Sequence, residues 1–338
     1  MVFRRIICNT IPFQALIYCT GRRLFLPFYH TISDTNLPHI QHLYKVKSPK
    51  EFEKELDFIL KYYKPITTTE LTDLTVNQEK IRKRVFLLSF DDGLREMYDI
   101  VFPILRRKGV PALFFLNSAF IDNKDLFFRY KASVLYDALI HTNSSVLNRM
   151  EKKTGRSFAS NPEIRNWLLA IPYTNRNYLD ELAQNIDLDF QQYLIDQKPY
   201  LTSSQVLEMA QCGFDFGAHS IDHPYFSELS LTEQLHQANE SLKYVYQKLG
   251  RKHPSFSFPF FDNEVSKSFY EKLHSDTNPC SPHLIFGSSG MKNDEFPYVL
   301  HRLCMEKSGT SGPNFIYTEY IKYIIKAILH KNCREHPL

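Results

Sequence analysis

The sequence predicts an α/β protein: a distorted or incomplete (β/α) barrel of about seven strands with a helical insertion. Three observations lead there. Short apolar runs alternate with amphipathic stretches, the pattern of strands feeding into helices. Polar residues suited to chemistry follow the ends of two of those runs, where barrels of this kind build their sites. The alternation stops between about 122 and 200 and then resumes.

The first 23 residues stand apart. Two arginines precede an apolar stretch, but Asn9, Thr10, Pro12 and Gln14 interrupt it and no small-x-small cleavage site follows, so a secretory signal is not expected. No run approaches the roughly 18 apolar residues of a membrane span. A cytoplasmic protein is expected, with peripheral membrane contact through its first turn left open.

LFLPFY (24–29) predicts the first strand. FEKELDFILKYY (52–63) puts Phe52, Leu56, Ile59, Leu60 and Tyr63 on one helical face, with Pro65 ending it. VFLLSF (85–90) reads as a buried parallel strand stopped by Asp91-Asp92-Gly93. A helix over 96–108, closed by Gly109, and a strand at 112–116 follow. The stretch 122–200 is polar and helical in period, which predicts the insertion. After it come a helix ending at Gly213, a strand at 214–219 and a long helix at 231–250. Strands at 256–260, 284–287 and 298–303 complete the count, with helices near 264–273 and 314–330. The expected division is an N-terminal segment 1–23, a barrel over 24–121 and 201–310, the insertion 122–200 and a C-terminal helix 311–338.

Composition excludes several classes. With 338 residues and 43% hydrophobic content the chain can bury a large core. Its 41 basic and 37 acidic residues form no like-charge run, so no nucleic-acid arm is expected. Cysteines 8, 19, 212, 280, 304 and 333 are scattered with no CxxC pair, which predicts free thiols in a reducing compartment.

Two motifs carry the chemistry. In Ser89-Phe90-Asp91-Asp92-Gly93 adjacent carboxylates repel unless a cation shares them, although an Asp-Gly turn explains the same letters. His219-Ser220-Ile221-Asp222-His223 spaces two imidazoles four apart after another strand end, so one turn can aim both at a single ion. Asp92, His219 and His223 are the expected ligands of a divalent metal, zinc first, with nickel, cobalt or manganese tolerated. Asp91 is left to accept a proton from attacking water, and a backbone N–H near Gly93 to stabilise the oxyanion.

S-F-D-D-G and H-S-x-x-H resemble the first two motifs of polysaccharide deacetylases, the NodB-like carbohydrate esterases. The resemblance covers about 24–303 apart from the insertion. It implies a metal-dependent deacetylase acting on an N-acetylated carbohydrate, with the base at Asp91 and metal ligands at Asp92, His219 and His223. For the acid, His30 resembles the Y-H element of deacetylases acting on biofilm poly-N-acetylglucosamine, with His301 as runner-up. The third motif departs: Ser257-Phe258-Pro259-Phe260-Phe261-Asp262 lacks the usual arginine, leaving Arg302 or Asp262 to orient Asp91. Phe258, Pro259, Phe260 and Arg302 are the expected substrate contacts, with only one of the two phenylalanines facing the site because strand residues alternate. Hydrolysis of another ester or amide, or silent glycan binding, are the alternatives.

Overall fold

The computed structural model describes residues 12–250, 254–275, 277–306 and 311–338. The expected first-turn membrane contact and Cys8 fall outside them. Helix α1 (Phe13–Thr20) precedes strands β1 (Leu24–Phe25) and β2 (Pro27–Tyr29). Then follow α2 (Pro49–Tyr62), β3 (Lys64–Pro65), α3 (Thr68–Val76), β4 (Val85–Phe86) and β5 (Leu88–Phe90). Next come α4 (Phe102–Lys108) and β6 (Ala112–Leu116). Five helices fill the stretch beyond: α5 (Phe128–Ile140), α6 (Ser144–Thr154), α7 (Asn161–Leu169), α8 (Tyr178–Asn185) and α9 (Phe190–Gln197). The alternation returns with α10 (Ser203–Gln211), β7 (Asp215–Ala218), α11 (Leu231–Leu249), β8 (Phe256–Ser257), α12 (Lys267–Leu273) and β9 (Ile285–Gly287). The chain closes with β10 (Asn293–Asp294), β11 (Val299–His301), β12 (Leu303–Cys304), α13 (Gly312–Ile328) and β13 (Cys333–Arg334).

The main sheet is parallel, in the order β11-β9-β8-β7-β6-β5-β2-β12. Its two edges, β11 and β12, belong to one run of chain broken only at Arg302. One run therefore pairs with β9 by its first half and with β2 by its second, and the eight strands form a nearly closed barrel. Breaks at Leu26 and Leu87 likewise divide the first two runs, so β1 and β4 pair in a separate three-stranded sheet.

Alternation along β6 sorts the core. Leu113 and Phe115 pack with Leu26, Leu87 and Phe286, while Ala112, Phe114 and Leu116 join Leu105, Val206 and Met209 of the helices. Gly217 pairs with Phe115, and a Cβ there would lie 2.6 Å from the Phe115 ring and 2.7 Å from the Ser255 carbonyl. A bare backbone is what lets the aromatic fill the space. Leu135, Leu168, Leu179 and Leu182 of α5–α9 build a cluster of their own, which also takes Ile40, Leu94 and Tyr200. Helix α1 is sealed by Phe13 against Phe58, Tyr62, Tyr317 and Tyr320.

Two expectations are corrected. The helix over 96–108 is a wider π turn at Met97–Val101 followed by α4, because Pro103 has no N–H for the bond that would continue a regular helix. The strand expected at 256–260 stops at Ser257, since Pro259 cannot donate and Phe260 turns left-handed at φ 54°. Among the described residues, no helix is long and apolar enough to cross a membrane, and Cys19, Cys212, Cys280, Cys304 and Cys333 form no disulfide.

Candidate active site

Register assembles the site. Tyr29 pairs with Phe90, so His30 and Asp91 leave adjacent strands side by side, and Leu116 pairs with Ala218, which brings His219 to the same rim. Beyond the rim the backbone is left-handed at Asp92 (φ 72°), Ser220 (69°) and His223 (62°), each costing on the order of 1–3 kcal/mol outside glycine. Hydrogen bonds hold these turns. The Asn117 amide donates to the His219 carbonyl, Ser220 Oγ accepts from the His223 N–H at 3.1 Å, and Gln237 bonds both Ile221 N and Asp222.

Asp92, His219 and His223 are all buried, and their ligand atoms lie within 4.8 Å of one another. His219 Nδ1 donates to the Ser257 carbonyl at 2.9 Å, which leaves the Nε2 lone pair open. Burial lowers the His219 pKa to about 4, so the ring is neutral at physiological pH. Asp92 Oδ1 is buried without a hydrogen-bond partner, 3.2 Å from His223 Nε2 and 3.5 Å from His219 Nε2. Burial raises the Asp92 pKa, but the facing His223, together with His30 and His219, more than reverses this and holds it well below the carboxylate range. Two imidazoles and an orphaned carboxylate oxygen are a donor set that fits a divalent cation.

The other Asp92 oxygen accepts from Tyr130 of α5 at 2.7 Å. The sequence offered no sign of this residue. Tyr130→Phe should weaken binding of a divalent ion about 10-fold with the fold intact, because an oriented ligand loses its second partner. A chelator competition giving equal affinities would remove Tyr130 from that role.

Asp91 is held by Arg302, whose two terminal nitrogens donate to its two oxygens at 2.7 and 2.8 Å. Arg302 also donates to Ser89 Oγ at 3.0 Å and to Ser257 Oγ. Burial pushes the Asp91 pKa up, and the guanidinium brings it below the ordinary range. Arg302 thus holds Asp91 from a position that is 1% exposed, against the expectation that it contacts substrate. Arg302 is not among the residues that line the cavity.

His30 Nδ1 pairs with Glu306, which also accepts from the His30 N–H at 2.8 Å. Burial lowers the His30 pKa, yet Glu306 outweighs it and raises the value to about 9. Glu306 follows the C-terminal end of β12, a position that barrel logic marks as functional and that the sequence reading passed over. His30 and Glu306 also converge with Cys304, but that imidazole and carboxylate are already bonded to each other.

His301 is elsewhere. It follows the opposite parity from Arg302, bonds Asp294 at 2.8 Å and lies 3.9 Å from Asp262, so neither His301 nor Asp262 reaches Asp91. Phe258 and Phe260 both line the cavity, against the expectation of one, because the strand ends before them. Pro259 is not among the lining residues. The cavity, about 330 Å³, gathers His30, Asp91, Asp92, His219 and His223 on its polar side. Tyr44, Phe127, Arg129 and Tyr225 are among its other walls.

The polysaccharide deacetylase family model matches residues 78–273, more than half of the chain. No curated protein matches by sequence. The fold is similar to the Streptococcus pyogenes deacetylase PplD, solved in complex with acetate, at 15% identity and TM-score 0.54, covering 88% of this chain and 98% of that one. It is equally similar to IcaB from Ammonifex degensii, at 16% identity and TM-score 0.54, covering 89% and 98%. A de-N-acetylase from Aggregatibacter actinomycetemcomitans gives 15% identity and TM-score 0.54, covering 88% and 100%.

Proposed function

The chain belongs to the polysaccharide deacetylase family, and from that premise we propose that it is a metal-dependent hydrolase removing N-acetyl groups from an amino sugar in a glycan or glycan precursor. The observation that carries this reading is one cavity holding three convergent metal donors, an arginine-held carboxylate and a carboxylate-held imidazole.

Asp92, His219 and His223 would hold the ion, zinc or one of nickel, cobalt and manganese, which would polarise the acetyl carbonyl and acidify water. Asp91, kept ionised by Arg302, takes the proton from water as the oxygen attacks the carbonyl carbon. His30, kept protonated by Glu306, gives its proton to the sugar nitrogen as the C–N bond breaks, since an amine leaves poorly without one. Phe258 and Phe260 form an apolar wall for the acetyl methyl. The products are acetate and a free amino sugar.

The test is metal content together with acetate release from a panel of N-acetylated sugars and oligosaccharides. About one divalent ion is expected in wild type and in Asp91→Asn and none in His219→Ala, with release down by roughly 10²–10⁴-fold in Asp91→Asn and abolished in His219→Ala. A protein that binds no divalent ion would sink the reading. One that binds it and releases no acetate would have another substrate class.

A further inference from the structure

The hydroxyl of Tyr44 is buried in the wall of the catalytic cavity without a partner at full hydrogen-bond geometry, the Tyr130 hydroxyl lying only near enough for a weaker interaction. Three other donors of the cavity wall are engaged: Tyr130 with Asp92, His219 Nδ1 with Ser257, and His30 Nδ1 with Glu306. The Tyr44 ring lies 5.2 Å from the His30 ring, and its phenol is in electrostatic reach of Asp92. Burial, followed by Glu306 and Asp92 and against a smaller lowering by Tyr130, holds its pKa well above the ordinary phenol value, so the hydroxyl keeps its proton.

A buried hydroxyl without a full hydrogen bond is costly, and in the wall of a cavity a ligand atom would complete it. Its place identifies the ligand atom. The scissile carbonyl carbon bears a nitrogen, which His30 would protonate, and an oxygen, which lies toward Asp92 and its partners. A donor between those two groups addresses that oxygen; hydroxyls of the sugar ring lie farther along the substrate.

We propose that Tyr44 is a further catalytic residue, donating a hydrogen bond to the acetyl oxygen that strengthens as that oxygen gains negative charge. Tyr44 keeps its proton throughout. The assignment rests on the N-deacetylase reading, and it accounts for a hydroxyl that the base, acid and metal ligands leave unused.

Tyr44→Phe, in the metal-loaded full chain, removes one oxygen and nothing else. The expected result is a kcat about 10²–10³-fold lower, as for loss of one oxyanion donor, with KM and metal content unchanged. Thermal stability should hold or rise, because the lost hydroxyl had no full hydrogen bond. A residue acting only in folding would move stability and leave kcat alone. Acetate, which carries the same oxygen, gives a second readout: wild type should bind it about tenfold more tightly than the variant, roughly the 1.4 kcal/mol of one hydrogen bond. If wild type releases acetate, kcat decides. An unchanged kcat, or a raised KM at unchanged kcat, overturns the assignment. If wild type releases none from any N-acetylated sugar, the deacetylase reading fails separately and acetate affinity decides; equal binding, or none to either protein, overturns it.

Discussion

Arg302→Met destabilises the protein by about 3–5 kcal/mol and lowers acetate release at least about 10²-fold at neutral pH. The guanidinium stacks over Phe28, Phe115 and Phe286 at 4.2, 4.9 and 5.8 Å while it pairs with Asp91, so methionine fills the space but leaves a buried carboxylate without its counter-charge. Burial is then the largest influence left on Asp91 and pushes its pKa up, against the smaller pull of His219 and His30, so the proposed base gains a proton where it should be ionised. The sign for stability follows. A depressed folded pKa stabilises above the unfolded value and fades as pH falls through the folded one, so wild type tolerates acid and the variant loses that contribution. Urea unfolding across pH measures this. Asp91→Asn in the Arg302→Met background should recover much of the stability and none of the activity. An unchanged unfolding midpoint in Arg302→Met would contradict the argument.

The second large effect is in the alkaline limb of the pH profile. With the His30 pKa raised to about 9, kcat/KM should stay level up to that pH and fall tenfold per unit above it as the acid loses its proton. Glu306→Gln removes the main cause of the raised value, so the limb should move down to about 6.5 or below, a loss of roughly 30-fold or more at pH 8 from protonation alone. His30→Gln should lose the limb altogether along with about 10²–10⁴ in rate. If the Glu306→Gln profile lies on that of wild type, His30 is not the titrating acid.

The barrel was legible because buried parallel strands read as unbroken apolar runs, and the convergence of Asp92, His219 and His223 was legible because they lie just beyond the ends of two such runs. What escaped depends on long-range geometry. Arg302 was a candidate to orient Asp91, 211 residues away, and does hold it, but nothing in its apolar strand shows that it also bonds Ser257, 45 residues away. Tyr130 lies on α5, where the sequence marks a helix and nothing distinguishes the turn that meets Asp92. The alternation rule failed at Phe258 and Phe260 for a local reason, the proline between them, which could have been read.

A ring whose first strand pairs with its last cannot be finished in the order it is synthesised. Cys304 pairs with Phe28, and His30 meets Glu306 across 276 residues. At about 5–20 residues per second, the outer edge of β2 waits roughly 15–55 s on the ribosome with its backbone groups unpaired. The late segment also brings Arg302 to Asp91 and Glu306 to His30. An unfinished chain is therefore open-edged and also lacks the residues that, once the barrel closes, set the charge states of the carboxylate and imidazole proposed as its base and acid.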